Sequence, residues 1–515
     1  MTKRFQLQLL HTSDVHGYVH PHDYATMKNH AMGLARIKTK MDEIASGNSI
    51  RIDTGDTIQG SPLTYYVAKQ DGQPIHPMAT VMNHVGYQYV TIGNHEFNYG
   101  KANLNAFLDG LDATILNCNL LHPDGTPYRG VTYDIITYDN GPRVAFIGAT
   151  THYIPNWEQP SHYADIDIRD AFAALQQTVA QIRNDVDLIV VSYHGGFERN
   201  FDTFELDVED TGENQGSKIL KDIPDIDILL TGHQHRLLHG NKFGTTYSQP
   251  GFNAQHVMEL NIVGTFDDGW TFAIDTTLHD VTDVTADPVV LASIKDVEAA
   301  TQIYLDTPVG HLDADYTITD QIAARIEKHP LIGFINQVQL EATNADISSC
   351  SLGNHVSGFR QELTIRDVIG TYVFPNTLVV KELTGATLKR ALERTAEFFE
   401  LDGDDIVVAD EYNHPKLQLY AYDMYDPIAY TIDLRRPRGD RITELTLHGE
   451  PIDPDATYQV VMNNYRASGG GEYQFLRDCP TIDDTQTEVI EVLVDYIVRH
   501  PRLTLPKTTN IKIIK

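Results

Sequence analysis

"TIGNHEFNYG", residues 91–100, stops an aliphatic run at a glycine and then sets an amide, an imidazole and a carboxylate side by side: Asn94, His95 and Glu96. The interior of a buried strand has no use for that trio, so the strand ends here and its polar residues stand at the tip. The same shape recurs through the first half of the chain. "FQLQLLHTSD", "SIRIDTGD", "RVAFIGATTH", "DVDLIVVSYHGG" and "DIDILLTGHQH" are each a short β-branched or aliphatic run that closes on Asp, Gly or His. Helical-period segments, "AMGLARIKTKMDEIAS" and "RDAFAALQQTVAQIRNDV", lie between several of them. This alternation predicts an α/β fold with a largely parallel sheet covered by helices, and ligand sites beyond the carboxyl ends of the strands.

The strand tips carry a consistent chemistry. Asp14 and His16 form a D-x-H, Asp56 sits in "DTGDTIQGSPL", Asn94 and His95 in "GNHEFNYG", His194 in "SYHGG", and His233 and His235 form an H-x-H in "TGHQHR". Side chains two apart on an extended segment point the same way, so Asp14 with His16, and His233 with His235, can each offer two ligands to one place. A lone His or Asp at a strand end is more often a cap or a turn residue than a ligand. Seven nitrogen and oxygen donors in five strand-end segments are harder to ascribe to turn chemistry. They suffice for two metal ions sharing a bridging carboxylate, for which Asp56 is the natural residue, and their mixture suits Mn²⁺, Zn²⁺ or Fe²⁺. Two such cations clamp the attacking and leaving oxygens of a displacement at phosphorus, so phosphoester hydrolysis is the expected reaction class. Asn94 is then a neutral oxygen ligand, His95 faces the substrate, and Glu96 is expected to orient a ligand from behind.

Composition narrows the field. The 515 residues, 41% hydrophobic and 21% charged, exceed what one core can organise. A net charge of −32 disfavours nucleic-acid polymers and anionic membranes as partners. No window approaches the roughly 18 apolar residues of a membrane span. The alternating start "RFQLQLL" reads as a strand and not a signal peptide, and the three scattered cysteines suit a reducing compartment, so a cytoplasmic protein is expected, a monomer or weak homo-oligomer. Near residue 288 the character changes: "DPVVLASIKDVEAATQIYLDTPVGHL" reads as one connecting helix, apolar at Val290, Ile294, Val297 and Ile303 and stopped at Thr307-Pro308. Strands, a helix and Gly- or Pro-bearing turns follow to the end. The expected organisation is a catalytic domain at 1–285, a connecting helix at 286–305 and a second α/β domain at 306–515.

D-x-H, G-D-x-x-x-G-S-P-L, G-N-H-E-F, H-G-G and G-H-x-H, in this order, resemble the calcineurin-like metallophosphoesterases of the two-domain nucleotidase branch. That resemblance implies a layered α/β metallophosphoesterase domain with mostly parallel central sheets, then an α/β substrate-binding domain. It implies Asp14, His16, Asp56 and His235 around one metal, Asp56, Asn94, His194 and His233 around the other, and His95 as the catalytic histidine. The residue supporting that histidine is commonly Asp in the branch; here it is Asn98, which can bond the ring but brings no charge. "GNHEFNYG", "ADISSCSL" and "NNYRASGGG" look like the 2′,3′-cyclic-nucleotide 2′-phosphodiesterase/3′-nucleotidase subgroup. A 5′-nucleotidase or UDP-sugar hydrolase is the alternative, and an inactive nucleotide-binding protein a third. The nucleotide base is expected between Tyr422 and Tyr473, with the chain at Gly470 turning close to the ligand.

Overall fold

The computed structural model describes residues 3–25, 27–70, 75–206, 211–372, 374, 376–413 and 417–515. The chain divides into two compact units, Met1–Gln302 and Ile303–Lys515.

In the first unit the single sheet expected from the alternation is two six-stranded sheets. One runs Trp270–Asp280, His256–Phe266, Lys3–Thr12, Ser49–Asp53, Tyr89–Thr91, Thr114–Leu116; the other runs Leu237–Lys242, Thr245–Pro250, Ile228–Thr231, Leu188–His194, Arg143–Thr150, Tyr133–Thr137. Three of the five ladders in each are parallel. The two-residue period of a strand explains how both faces are filled. Along Arg143–Thr150, Val144 and Phe146 join a core with Leu7, Leu9, Ile52 and Leu260 of the other sheet. Ala145, Ile147 and Ala149 of the same strand pack with Leu175, Val179 and Ile182 of the helix Ala171–Ile182. A strand apolar on both faces reads the same whether its second face meets a helix or a sheet, which is why the sequence pattern could not separate the two layouts.

Both predicted helices form, as Leu34–Ile44 and Ala171–Ile182. Asp170 caps the second, accepting the Ala173 N–H at 2.7 Å. The connecting segment differs from the single helix expected: it is Pro288–Ser293 and Lys295–Leu305, parted at Ile294. Its buried positions are Val290, Ile294, Glu298, Thr301 and Leu305, one helical stripe. Ile303 lies about 200° from Thr301 on that wheel and is 75% exposed, so its apolarity does not mark the inner face.

The second unit is built on a five-stranded sheet, in the order Met424–Asp426, Ile347–Cys350, Thr457–Asn463, Thr377–Thr384, Thr481–Glu488, and a four-stranded one containing Ala429–Asp433 and Ile442–Leu447. The helix Val489–Arg499 buries Val489, Ile490, Leu493, Tyr496 and Ile497, the spacing of one amphipathic face.

Candidate metal centre

All seven proposed donors lie at the carboxyl ends of parallel strands, three segments from one sheet and two from the other. Asp14 and His16 follow Lys3–Thr12, Asp56 follows Ser49–Asp53, Asn94 follows Tyr89–Thr91, His194 ends Leu188–His194, and His233 and His235 follow Ile228–Thr231. A buried polar seam sits beneath them between the sheets. His11 bonds Ser248 and Thr54, each at 2.8 Å, and Ser192 lies 3.1 Å from Thr54 and 2.7 Å from Thr91. Burial lowers the His11 ring to about 3, so this seam is neutral.

The loops are not extended. Asp14, His16, Asp56, His233 and His235 have φ of 54°, 49°, 61°, 71° and 58°, the left-handed region that side chains other than Gly, Asn and Asp enter at a cost. Backbone bonds hold them there: the Asp14 N–H donates to the Gly55 carbonyl at 2.8 Å and the His16 N–H to the Asp56 carbonyl at 2.9 Å. The Asp14 carboxylate takes the His233 N–H on both oxygens at 3.0 Å. Close approach at Gly93 permits this, since a Cβ there would fall 2.2 Å from the Asp56 carboxylate. The left-handed turns overturn the two-apart argument. Asp14 and His16 do share a place, with His235, but His233 joins Asp56 and His194 instead. The H-x-H therefore divides between two groups, each a set of atoms within 4.8 Å of one another that could hold a metal ion.

The atoms facing inward are all lone-pair donors. His16 Nδ1 lies 2.9 Å from the Gln59 carbonyl and His194 Nδ1 2.7 Å from that of Thr54. A carbonyl only accepts, so each Nδ1 carries a hydrogen and each Nε2 turns a lone pair inward. His233 is reversed: Nε2 meets Glu213 at 2.9 Å and Nδ1 faces Asn94 Oδ1 at 2.9 Å. His16 Nε2 meets His235 Nε2 at 2.9 Å, and Asn94 Oδ1 lies 3.1 Å from His194 Nε2. Asp56 Oδ2 is buried 3.1 Å from His194 Nε2. Such a cluster repels itself unless protons or cations lie between its members, and two divalent ions fit it. In their place Asp56 recruits a proton: burial opposes the charge, but Asp56 raises His194 to about 10. In the other group burial, then the charge of His235, lowers His16 to about 4.

Glu96 does its work on the backbone. Its buried carboxylate accepts the N–H groups of Gly93 at 2.5 Å, Asp56 at 2.9 Å and Thr57, pinning two donor loops together. His95 donates its own N–H to Asp56 Oδ1 at 2.8 Å, and its ring lies 5.5 Å from that of His16. Its Nδ1 meets Asn98 Oδ1 at 2.6 Å, and the Asn98 amide in turn donates to Glu158 at 2.7 Å. Glu158, Glu213 and Trp157, whose ring is 5.6 Å from His233, were not among the candidates, because their loops carry no periodic pattern to mark them.

The expected aromatic clamp is corrected by the structure. Tyr422 is fully buried against Phe398 and Phe399, and Tyr473 is 1% exposed, with its hydroxyl on Thr395 at 2.7 Å and the Arg466 guanidinium over its ring. Both rings are worth more inside a core than in water, so neither offers a face to a base. Gly470 gives its carbonyl to Arg466 at 2.6 Å and sits under the Tyr465 ring, where a Cβ would be 2.5 Å from carbon. The exposed aromatic rings of this unit among the described residues are Phe374 and Tyr465, about two-fifths exposed each.

Residues 7–237 match the family described as calcineurin-like phosphoesterase, and residues 308–478 match the 5′-nucleotidase C-terminal domain. A Bacillus subtilis protein named trifunctional nucleotide phosphoesterase YfkN is 26% identical across 98% of this chain, which spans only 38% of that protein's length. A Haemophilus influenzae 2′,3′-cyclic-nucleotide 2′-phosphodiesterase/3′-nucleotidase is also 26% identical, with 95% of this chain and 84% of the relative covered. Among solved structures, a Staphylococcus aureus protein named as a 5′-nucleotidase is 34% identical, covering 99% of this chain and 100% of its own, with a TM-score of 0.88. With both family models matched in chain order and a relative matched end to end, the chain belongs to the calcineurin-like phosphoesterases that carry a 5′-nucleotidase C-terminal domain.

Proposed function

We propose that this chain hydrolyses nucleotide phosphoesters, opening 2′,3′-cyclic nucleotides and then removing the 3′-phosphate. The observation that carries the hydrolytic reading is the convergence of seven donors from five strand ends, with the Asp56 carboxylate buried among them, 3.1 Å from His194 Nε2. Asp14, His16, Asp56 and His235 would hold one divalent ion, and Asp56, Asn94, His194 and His233 the other, with Mn²⁺, Zn²⁺ or Fe²⁺ suited to these donors. Bound there, such ions neutralise phosphoryl oxygens and make a water acidic enough to attack near neutral pH. The side chains do the remainder. His95, its Nδ1–H tied to the Asn98 oxygen, turns Nε2 outward; with hydrogens on both ring nitrogens, Nε2–H can donate to a phosphoryl oxygen and pass its proton to the departing alkoxide, leaving the neutral Nδ1–H ring. We assign this chemistry to residues 1–285, a linking role to 286–305 and choice of nucleoside to 306–515. Base stacking falls to exposed rings, and Phe374 and Tyr465 replace the buried tyrosines in that role. Three unpaired cysteines, two of them buried, support a reducing, cytoplasmic setting, and no helix among the described residues is long and apolar enough to cross a membrane.

The cyclic and 3′ preference draws on "GNHEFNYG" and on the Haemophilus influenzae relative. The 5′-nucleotidase alternative draws on the Staphylococcus aureus structure. A panel of 2′,3′-cyclic AMP, 3′-AMP, 5′-AMP and UDP-glucose with each metal decides between them. Faster turnover of the first two is expected. Preference for 5′-AMP reverses the subgroup assignment, and binding of nucleotides without hydrolysis of any ester under any metal leaves only a binding protein.

A further inference from the structure

We propose that Glu158 is a positioning residue for His95, acting through Asn98, so that a carboxylate one residue further out fixes the ring orientation that an aspartate at position 98 would fix directly. This rests on the reading of His95 as the group that meets the leaving oxygen.

An asparagine beside a histidine is ambiguous. Its amide can turn either the oxygen or the nitrogen to the ring, and the two choices select opposite tautomers. Here the ambiguity is removed from behind. Glu158 Oε2 lies 2.7 Å from Asn98 Nδ2, and a carboxylate accepts without donating, so the NH2 side of the amide must face Glu158. The Asn98 oxygen is thereby left for His95 Nδ1 at 2.6 Å, Nδ1 carries the hydrogen, and Nε2 is the outward atom.

Glu158 is itself held. Its side chain is 7% exposed, and its other oxygen accepts from His162 Nδ1 at 2.8 Å and from the Gln159 N–H at 2.9 Å. The chain His95, Asn98, Glu158, His162 thus has one acceptor-only member, and the direction of the His95 and Asn98 bonds follows from it. One carboxylate oxygen is thus spent on holding Glu158 in its own loop, and the other is left to hold Asn98. Without it the amide is free to flip and present its NH2 to Nδ1, which must then accept, so the ring could not hold hydrogens on both nitrogens, the form from which Nε2 gives up a proton.

The test is a swap of the carboxylate, read in three ways. Glu158→Gln is expected to lower kcat on 2′,3′-cyclic AMP about tenfold to a hundredfold with KM within about threefold, the scale of lost orientation behind a catalytic group. Hydrolysis of a p-nitrophenyl phosphodiester, whose leaving group needs no proton, should fall by about threefold or less. The double variant Asn98→Asp with Glu158→Gln restores the carboxylate next to His95 and is expected to recover kcat to within about threefold of the parent. Independently of turnover, ¹⁵N NMR of the histidine rings in mildly alkaline buffer should show His95, identified by its loss in His95→Gln, as the Nδ1–H form in the parent and in the double variant, but as a mixture in Glu158→Gln. Unfolding temperature and metal content control for collapse of the loop. An unchanged kcat and tautomer in Glu158→Gln, with His95→Gln inactive, overturns the role of Glu158 alone. Full activity in His95→Gln overturns the underlying reading of His95.

Discussion

The two halves of the centre are built differently. In the group of Asp56, His194 and His233, each imidazole is braced from behind by a fixed acceptor: Thr54 carbonyl for His194 and the Glu213 carboxylate for His233. His194 is fully buried. In the group of Asp14, His16 and His235, His16 alone has such a brace among the described residues, the Gln59 carbonyl. His235 is about a quarter exposed and lies flat on the Phe252 ring, 4.9 Å away and 13° from parallel. A stacked ring can slide and turn in its plane, while a ring bonded at its far nitrogen cannot. The difference implies that both rings of the first group are held while His235 in the second can turn, a tighter and a looser half that Asp56 is expected to join.

The largest test strikes the joint. Asp56→Asn removes the charge that both halves use, with several kcal/mol of charge stabilisation at stake, so kcat should fall by about 10³-fold or more and bound metal should drop at both sites. Retention of two equivalents by elemental analysis would break the idea of a shared carboxylate. Next, His233→Ala and His235→Ala should differ in what they leave. The first is expected to lose the tightly held equivalent, the second only the equivalent removed by mild chelation. Equal losses in both would show that the halves are alike. Glu213→Gln keeps the shape of the brace and weakens it, and should cost about tenfold to a hundredfold in affinity for a single equivalent.

How much of this was legible before any coordinates depends on what constrains a residue. An aliphatic run that closes on Asp, Asn or His fixes where a strand ends, and parallel strands bring their ends to one side, so Asp14, Asp56, Asn94, His194 and His233 had few other places to go. The path between them was not legible, because nothing in "SDVHG" or "TGHQHR" announces left-handed backbone at Asp14, His16, His233 and His235; that conformation is imposed by bonds to distant loops such as Asp14 to Gly55. Glu158 and Glu213 lie in irregular loops and act only through partners that are 60 and 20 residues away. Tyr422 and Tyr473 misled for a different reason. A tyrosine in a turn can stack on a ligand or fill a core, and burial of the ring decides the matter whenever the fold supplies space, as Phe398, Phe399 and Arg466 do here.

A milder change sharpens the contrast between the halves. Phe252→Leu keeps bulk beneath His235 but removes the stacked face, worth about 0.5 to 1.5 kcal/mol. Affinity for the weaker equivalent should fall about twofold to tenfold, with the tighter one unmoved, as read by metal titration. Loss of the tighter equivalent instead would place the loose half elsewhere.

The finest distinction is a single proton. In the metal-free protein His194 holds its proton up to about 10, since Asp56 raises it against burial, while His16 has already lost its proton above about 4. A cation at the first group must therefore expel a proton from His194 at neutral pH, and one at the second need expel none from His16. The sign follows: His194 competes with metal at every pH below about 10, so affinity of the braced site should rise with pH across the neutral range, by up to about tenfold per unit, while the looser site should show no such rise from His16. Calorimetric titration of the metal in buffers of different ionisation enthalpy separates the two. About one proton more should leave with the first, tight equivalent than with the second; release that is equal for both, or that accompanies only the weaker, would mean that the rigid half is not the one built around Asp56 and His194.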